Sequence, residues 1–187
     1  MKIELRKRIA TSLVLMLLLT GVYFYSFVMI IALTVIAIII WIEFYALISK
    51  ILKKNSTKNK FFRFLYKSIS LLYLSILVTS IFSIEFFYLD LKIKLLYIIL
   101  VAILSDIGGL VFGRFFKGKK LTKISPKKTI SGSIGSFIFS LLLIPLFYLD
   151  LIEYSIFALC LITMLISVTT QLGDLFISYL KRKAKVK

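Results

Sequence analysis

The fold is decided by a long apolar run between Ile9 and Ile48, which reads IATSLVLMLLLTGVYFYSFVMIIALTVIAIIIWIEFYALI. A helix needs about 20 apolar residues to cross the hydrocarbon core of a bilayer. The run is too long for one span, and it predicts two spans that turn between Gly21 and Ser26. The whole chain is 60% hydrophobic, against about 45–50% in soluble domains. The sequence therefore predicts an integral membrane protein.

Four more apolar runs follow, and they extend the prediction to about six spans in an all-α, polytopic transmembrane helical bundle. The predicted spans cover residues 9–26, 27–48, 69–89, 95–113, 134–149 and 155–172. The sequence between the spans contains no soluble domain, and the chain shows no internal repeat. We therefore interpret residues 1–187 as a single membrane domain.

Basic residues are concentrated between alternate spans. The chain has 25 Lys and Arg against 8 Asp and Glu, a formal net charge of +17. Of these 25 cations, 23 lie at the two termini and in two loops, 50–68 and 114–133, and the other two are Lys92 and Lys94. Because cations favour the cytoplasmic side of a membrane protein, the pattern places both termini and both loops in the cytoplasm. It also predicts contact with anionic membrane lipids, and nucleic acid is not an expected partner.

The residue types present limit the chemistry. The chain has no histidine and one cysteine, Cys160. This excludes His-based catalysis and His-ligated metals within the chain, as well as an internal disulfide framework. Any reaction must use carboxylates, cations and hydroxyls, with a bound metal ion as the expected addition.

A carboxylate within an apolar segment is costly and therefore indicates function. Asp106 lies in the fourth predicted span, and Asp106, Gly109, Leu110 and Gly113 share one face of a helix. The two glycines form a small-xxx-small pair that allows another helix to approach closely. We expect Asp106 to point into a helix interface. The alternative is a structural carboxylate paired with a lysine.

The basic loop that follows contains Ser125, Pro126, Lys127, Lys128 and Thr129. Proline fixes its own φ and holds the preceding serine in extended geometry. The two lysines and the threonine then offer cations and a hydroxyl from a stiffened backbone, which suits a polyphosphate. The alternative is a cytoplasmic loop that binds anionic lipid.

A third polar cluster lies near the end of the last predicted span. On a helix, Asp174, Ser178, Lys181 and Arg182 form one stripe at the same membrane edge as the basic loop. The alternative is an amphipathic helix end whose cations reach the interface. Taken together, the three clusters predict that Asp106 and Asp174 share a Mg²⁺ ion beside phosphate groups.

These three clusters, in this order, resemble the phosphatidate cytidylyltransferase family, also called CDP-diacylglycerol synthase. The resemblance is carried by Ser105-Asp106 with Gly113-Arg114, by Ser125-Pro126-Lys127-Lys128-Thr129 with Gly132, and by Gln171-Leu172-Gly173-Asp174 with Ser178 and Lys181-Arg182. It implies a bacterial inner-membrane enzyme, active at the cytoplasmic face, that uses CTP, phosphatidate and Mg²⁺ to form CDP-diacylglycerol and diphosphate.

The resemblance also implies roles for individual residues. By position, the implied metal ligand is Asp174 and Asp106 is a polar residue of the site; Asp106 as a second Mg²⁺ ligand is the prediction from the three clusters above. The implied catalytic residues are Asp106, Lys127, Lys128, Asp174, Lys181 and Arg182, and the implied substrate-binding residues are Arg114, Ser125, Thr129 and Ser178. We also expect that two copies can associate as a homodimer.

The sequence departs from the family pattern after Lys181-Arg182. The family continues with a Lys-Asp step, a His-Gly-Gly turn and an Asp-Arg-x-Asp block, whereas this sequence ends at Lys187. We therefore expect the chain to lack the C-terminal part of the family signature, including a second metal-binding carboxylate. The alternatives are an inactive relic, a membrane protein that binds lipid or nucleotide, a lipid kinase or phosphatase of another family, and a small transporter that couples through Asp106.

Overall fold

The computed structural model describes residues 2–53, 56–88, 91–122, 125 and 128–186, and this part of the chain is helical. The helices are α1 (Lys2–Phe24), α2 (Ser26–Ile51), α3 (Thr57–Phe87), α4 (Lys92–Phe116), α5 (Ile130–Leu141), α6 (Ile144–Phe147) and α7 (Ile156–Lys183). Within the described ranges, the β-pairing recorded is one isolated bridge between Lys120 and Thr129. The all-α prediction is confirmed.

Within the described residues, five helical segments are long and apolar enough to cross a membrane: α2, α3, α4, the combined α5–α6 segment Ile130–Phe147, and α7. The apolar part of α1, Ala10–Phe24, is shorter. The chain is therefore a multi-pass membrane protein, as predicted. Helix α3 begins at Thr57, inside the predicted basic loop 50–68, so the helix extends well before the apolar residues that mark the span.

Contacts between residues of the chain divide the protein into two compact units, residues 1–89 and 90–187. The first unit holds α1, α2 and α3, with α2 packed against its neighbours on both sides. The Ser26 hydroxyl donates a 2.7 Å hydrogen bond to Glu85, which is buried near the end of α3. This bond gives a costly buried carboxylate a partner.

The second unit is organised by the crossing of α4 and α5. A Cβ atom built on Gly135 would collide with the side chain of Phe112, and one built on Gly109 would lie 2.7 Å from Ser136 Oγ. The two backbones approach this closely only because glycine has no side chain. The small-xxx-small prediction for Gly109 and Gly113 is consistent with this crossing, since Gly113 also faces α5, at Thr129.

Helix α7 packs against both α4 and α5, and buried hydroxyl groups lie at these contacts. Tyr97 is hydrogen-bonded to Thr163, and Ser105 Oγ lies 2.8 Å from Ser167 Oγ. Each hydroxyl side chain that is buried in apolar surroundings needs such a partner. The apolar core of this unit lies beside these pairs and is formed by Tyr97, Val101, Leu143, Ile144, Leu151 and Leu159.

Candidate functional site

A cavity of about 290 Å³ lies in the second unit, where α4, α5, α7 and the loop before α5 come together. It is lined by Asp106, Gly109, Leu110, Leu121, Ser125, Lys128, Thr129, Gly132, Ser133, Ser136, Gln171 and Asp174. All three polar clusters found in the sequence contribute to this lining. The cavity therefore joins residues that lie far apart in the chain.

The loop before α5 is held by backbone hydrogen bonds. The Leu121 N–H donates to the Lys128 carbonyl at 2.8 Å, and the Ile130 N–H donates to the Lys119 carbonyl at 2.9 Å. Thr129 is the N-cap of α5, and its hydroxyl accepts a 3.1 Å hydrogen bond from the Gly132 N–H. These bonds place Lys128 and Thr129 at the positive end of the α5 dipole, which favours anions.

Two residues of the cavity lining, Lys128 and Asp174, form an ion pair. Lys128 Nζ donates to Asp174 Oδ2 at 2.7 Å, and the two side chains are 28% and 51% exposed. Partial exposure keeps both groups in contact with solvent, so each can exchange its partner for a ligand. The cation offers charge to an anionic ligand, and the carboxylate offers oxygens to a metal ion.

Asp106 is the second carboxylate of the cavity, and it is exposed rather than enclosed. Together with Asp174 it gives two carboxylates beside several hydroxyl groups. Mg²⁺ prefers oxygen ligands and is commonly held by one or two carboxylates together with substrate phosphates. Within the described residues there is no group of three or more His, Cys, Asp or Glu side chains that would form an all-protein metal cage. The donor set therefore fits a Mg²⁺ ion that shares its coordination with a bound phosphate.

Gln171 connects the cavity to the buried hydroxyl groups of the second unit. Its Oε1 accepts a hydrogen bond from Ser133, and its Nε2 donates to Ser167 Oγ at 3.3 Å. Ser167 is in turn bonded to Ser105 on α4. This chain of contacts fixes the register of α7 against α4 and α5, and so fixes where Asp174 lies.

Other residues predicted for the site lie outside the cavity lining. Ser178 follows Asp174 by one helical turn. Lys181 and Arg182 lie on the next turn, roughly 10–12 Å from Asp174 along α7. Arg114 is exposed near the end of α4. Lys127 lies outside the described residues. The cavity therefore brings together Asp106, Ser125, Lys128, Thr129 and Asp174 from the predicted set.

Two polar residues of the cavity lining were not singled out in the sequence. Ser133 bonds Gln171, and Ser136 donates a 2.7 Å hydrogen bond to the Ser105 carbonyl. The sequence held a signal for Ser136, because Gly132 and Ser136 are four residues apart and therefore share one face of α5. That spacing marks a close helix contact, and only the fold shows that the contact borders a cavity.

Comparisons with known proteins agree with the resemblance found in the sequence. A family model described as the cytidylyltransferase family matches residues 2–187. The phosphatidate cytidylyltransferase of Staphylococcus haemolyticus is 44% identical over 96 residues, which cover 50% of this chain and 36% of that protein. The corresponding proteins of Staphylococcus saprophyticus and Staphylococcus aureus are 40% and 38% identical over matches of the same coverage.

The matches to these relatives span about a third of their length, whereas the family model matches nearly all of this chain. No solved structure matches the chain. Asp106, Lys128 and Asp174, one from each of the three sequence clusters, line one cavity. The chain belongs to the cytidylyltransferase family.

Proposed function

We propose that this protein carries out CTP:phosphatidate cytidylyl transfer, which forms CDP-diacylglycerol and diphosphate. One observation carries the proposal: Asp106, Lys128, Thr129 and Asp174 line a single cavity in a chain of the cytidylyltransferase family. The curated relatives named phosphatidate cytidylyltransferase support the choice of lipid substrate. The whole reaction is a proposal, since the matched region covers 36% of those relatives.

In the proposed reaction, a phosphate oxygen of phosphatidate attacks the α-phosphorus of CTP. A new phosphorus–oxygen bond forms, and the bond between the α-phosphorus and the bridging oxygen to the β-phosphate breaks. The electron pair leaves with diphosphate. The nucleophile is already an anion, so no histidine is needed as a general base, in keeping with a chain that has none.

The main task of the protein in such a transfer is to position two anions and to offset their charge. Lys128 supplies a cation at the cavity wall, and the N-terminus of α5 adds the positive end of a helix dipole. Ser125 and Thr129 offer hydroxyl groups beside that cation. These groups would bind the triphosphate of CTP and the phosphate of the lipid.

Asp106 and Asp174 are the residues that would hold a Mg²⁺ ion. When bound, the ion would supply positive charge that stabilises the phosphate oxygens. Lys128 already contacts Asp174, and a phosphate that attracts Lys128 would free the carboxylate for this role.

The membrane setting of the proposal follows the charge pattern of the sequence. The cavity is lined in part by the basic loop 114–133, which the positive-inside rule assigns to the cytoplasm. We therefore propose that the protein lies in a bacterial inner membrane, that both termini and the cavity are cytoplasmic, and that the basic loops contact anionic lipids. Association as a homodimer stays a prediction.

The direct test is product analysis with purified protein, labelled CTP, phosphatidate and Mg²⁺. The proposal requires that CDP-diacylglycerol and diphosphate appear in equal amounts and that both depend on phosphatidate. Transfer of a single phosphate to lipid, or diphosphate release without a lipid-linked nucleotide, would contradict it. Specific CTP binding without product would favour the non-catalytic alternative, a nucleotide- or lipid-binding membrane protein.

A further inference from the structure

The first unit contains a groove between α2 and α3. Two cavities of about 430 and 410 Å³ lie along this helix pair, and both are lined by Trp41, Leu71 and Ser75. Because the two cavities share these walls, we call them together the α2–α3 groove. Leu71 and Ser75 are exposed, so the groove is open along its side.

The groove is long enough to hold an acyl chain across one membrane leaflet. Its lining on α3 extends from Phe64 to Thr79, and the part from Lys67 to Thr79 corresponds to roughly 18 Å at the rise of an α-helix. Half of a hydrocarbon core about 30 Å thick is about 15 Å. Beyond Lys67 the lining is mainly apolar, with side chains such as Ile38 and Leu74. An acyl chain has this shape and this polarity.

Lys67 lies near one end of the groove, within the basic segment 50–68. Its Nζ lies 5.1 Å from the ring centre of Trp41 and 5.0 Å from that of Tyr45. In the described part of the chain, the recorded salt bridges leave Lys67 without a carboxylate partner. The aromatic rings hold the ammonium group at the mouth of the groove, while its N–H donors stay available for an acceptor.

We propose that the α2–α3 groove is a binding site for an anionic phospholipid, with one acyl chain between the helices and the headgroup phosphate against Lys67. Charge complementarity favours this occupant over a zwitterionic lipid, because an anionic headgroup leaves net negative charge beside the cation. Charge complementarity also disfavours a second copy of this chain as the occupant, because the chain itself is strongly basic. The groove is lined by residues of the first unit, and the proposal does not depend on enzymatic activity.

Trp41 makes the proposal directly measurable, because it is the one tryptophan of the chain and it lines the groove. The full chain would be reconstituted in phosphatidylcholine vesicles that contain increasing fractions of a lipid with brominated acyl chains. Bromine quenches tryptophan fluorescence only at short range. The two probes are brominated phosphatidylglycerol and brominated phosphatidylcholine, which differ in headgroup charge.

The proposal predicts that half-maximal quenching needs about fivefold less of the anionic lipid, since one lysine near the surface contributes on the order of 1 kcal/mol. Lys67→Gln should remove this preference and leave quenching by phosphatidylcholine unchanged. Lys50→Gln is the matched control, because Lys50 is an exposed lysine of the same unit outside the groove and its loss changes the net charge equally.

A second variant tests the groove itself. Ser75→Leu adds bulk to a position that both cavities share, and it should reduce quenching by both lipids while Lys67 stays in place. Equal quenching of the unmodified protein by the two lipids would overturn the proposal. So would an anionic preference that persists in Lys67→Gln or is lost equally in Lys50→Gln. Absence of quenching by either lipid would show that protein covers the groove, and would also overturn it.

Discussion

Lys128 and Asp174 form an ion pair, with Lys128 Nζ 2.7 Å from Asp174 Oδ2, that joins the loop before α5 to α7. The pair places an ammonium group and a carboxylate in direct contact at the cavity wall. A triphosphate offers Lys128 a new anionic partner, and a metal ion offers Asp174 a new cationic one. The exchange of one ion pair for two is the electrostatic basis of the proposed substrate binding.

Replacing Lys128 with glutamine should impair function far more than stability. A partly exposed ion pair contributes about 0–1 kcal/mol to folding, so the thermal midpoint in detergent should change little. Loss of a charged hydrogen bond to substrate phosphate should lower kcat/KM by roughly 10- to 100-fold. Lys53→Gln, in the other basic segment, is the control. A large fall in the thermal midpoint with unchanged activity per folded molecule would assign Lys128 a structural role.

Gly135→Ala should destabilise the second unit, because its new methyl group would overlap Phe112 and approach the Gly108 carbonyl oxygen. Overpacking of this kind costs about 1–3 kcal/mol. Gly173→Ala is the matched control, since a Cβ atom there meets nothing within 4 Å. It should be neutral or stabilising by up to about 1 kcal/mol, because alanine favours a helix interior. Thermal unfolding of both variants in one detergent checks the pair, and equal midpoints would contradict the close crossing.

Thr129 should matter through its hydroxyl group. Thr129→Ala removes the N-cap acceptor of α5, which should cost about 1 kcal/mol of stability, and it also removes a hydroxyl from the cavity. Thr129→Ser keeps both functions and should restore the thermal midpoint and the affinity for CTP. If the serine variant behaved like the alanine variant, the threonine methyl group would be the important feature.

Most of the fold follows from hydropathy. A backbone in lipid must satisfy its hydrogen bonds internally, so each long apolar run becomes a helix. The ends of the helices follow less directly. Helix α3 begins at Thr57, within a basic segment, because hydropathy marks where the membrane begins and not where the helical hydrogen bonds begin.

The charged residues of the cavity could be predicted because a charge within an apolar segment is costly and because charges near the membrane edge form clusters. Asp106 stood out from apolar surroundings, whereas Lys128 and Asp174 stood out as members of polar clusters. Ser133 and Ser136 did not, since serine is common in apolar helices and often bonds its own backbone. Their role depends on contacts with Gln171 and Ser105, which are distant in sequence and meet only through the crossing of α4, α5 and α7.

The central claim is that the cavity binds the triphosphate of CTP together with Mg²⁺, and Asp174→Asn tests it most directly. The measurement is equilibrium CTP binding by purified protein, once with Mg²⁺ and once with a chelator. Asp150→Asn is the control, because Asp150 is an exposed carboxylate outside the cavity. We predict that Asp174→Asn weakens binding about tenfold or more with Mg²⁺ but leaves it equal or tighter with the chelator, since a negative charge near phosphate is removed. Asp150→Asn should match the unmodified protein in both conditions. Unchanged binding by Asp174→Asn in the presence of Mg²⁺, or equal losses in both variants, would contradict the claim.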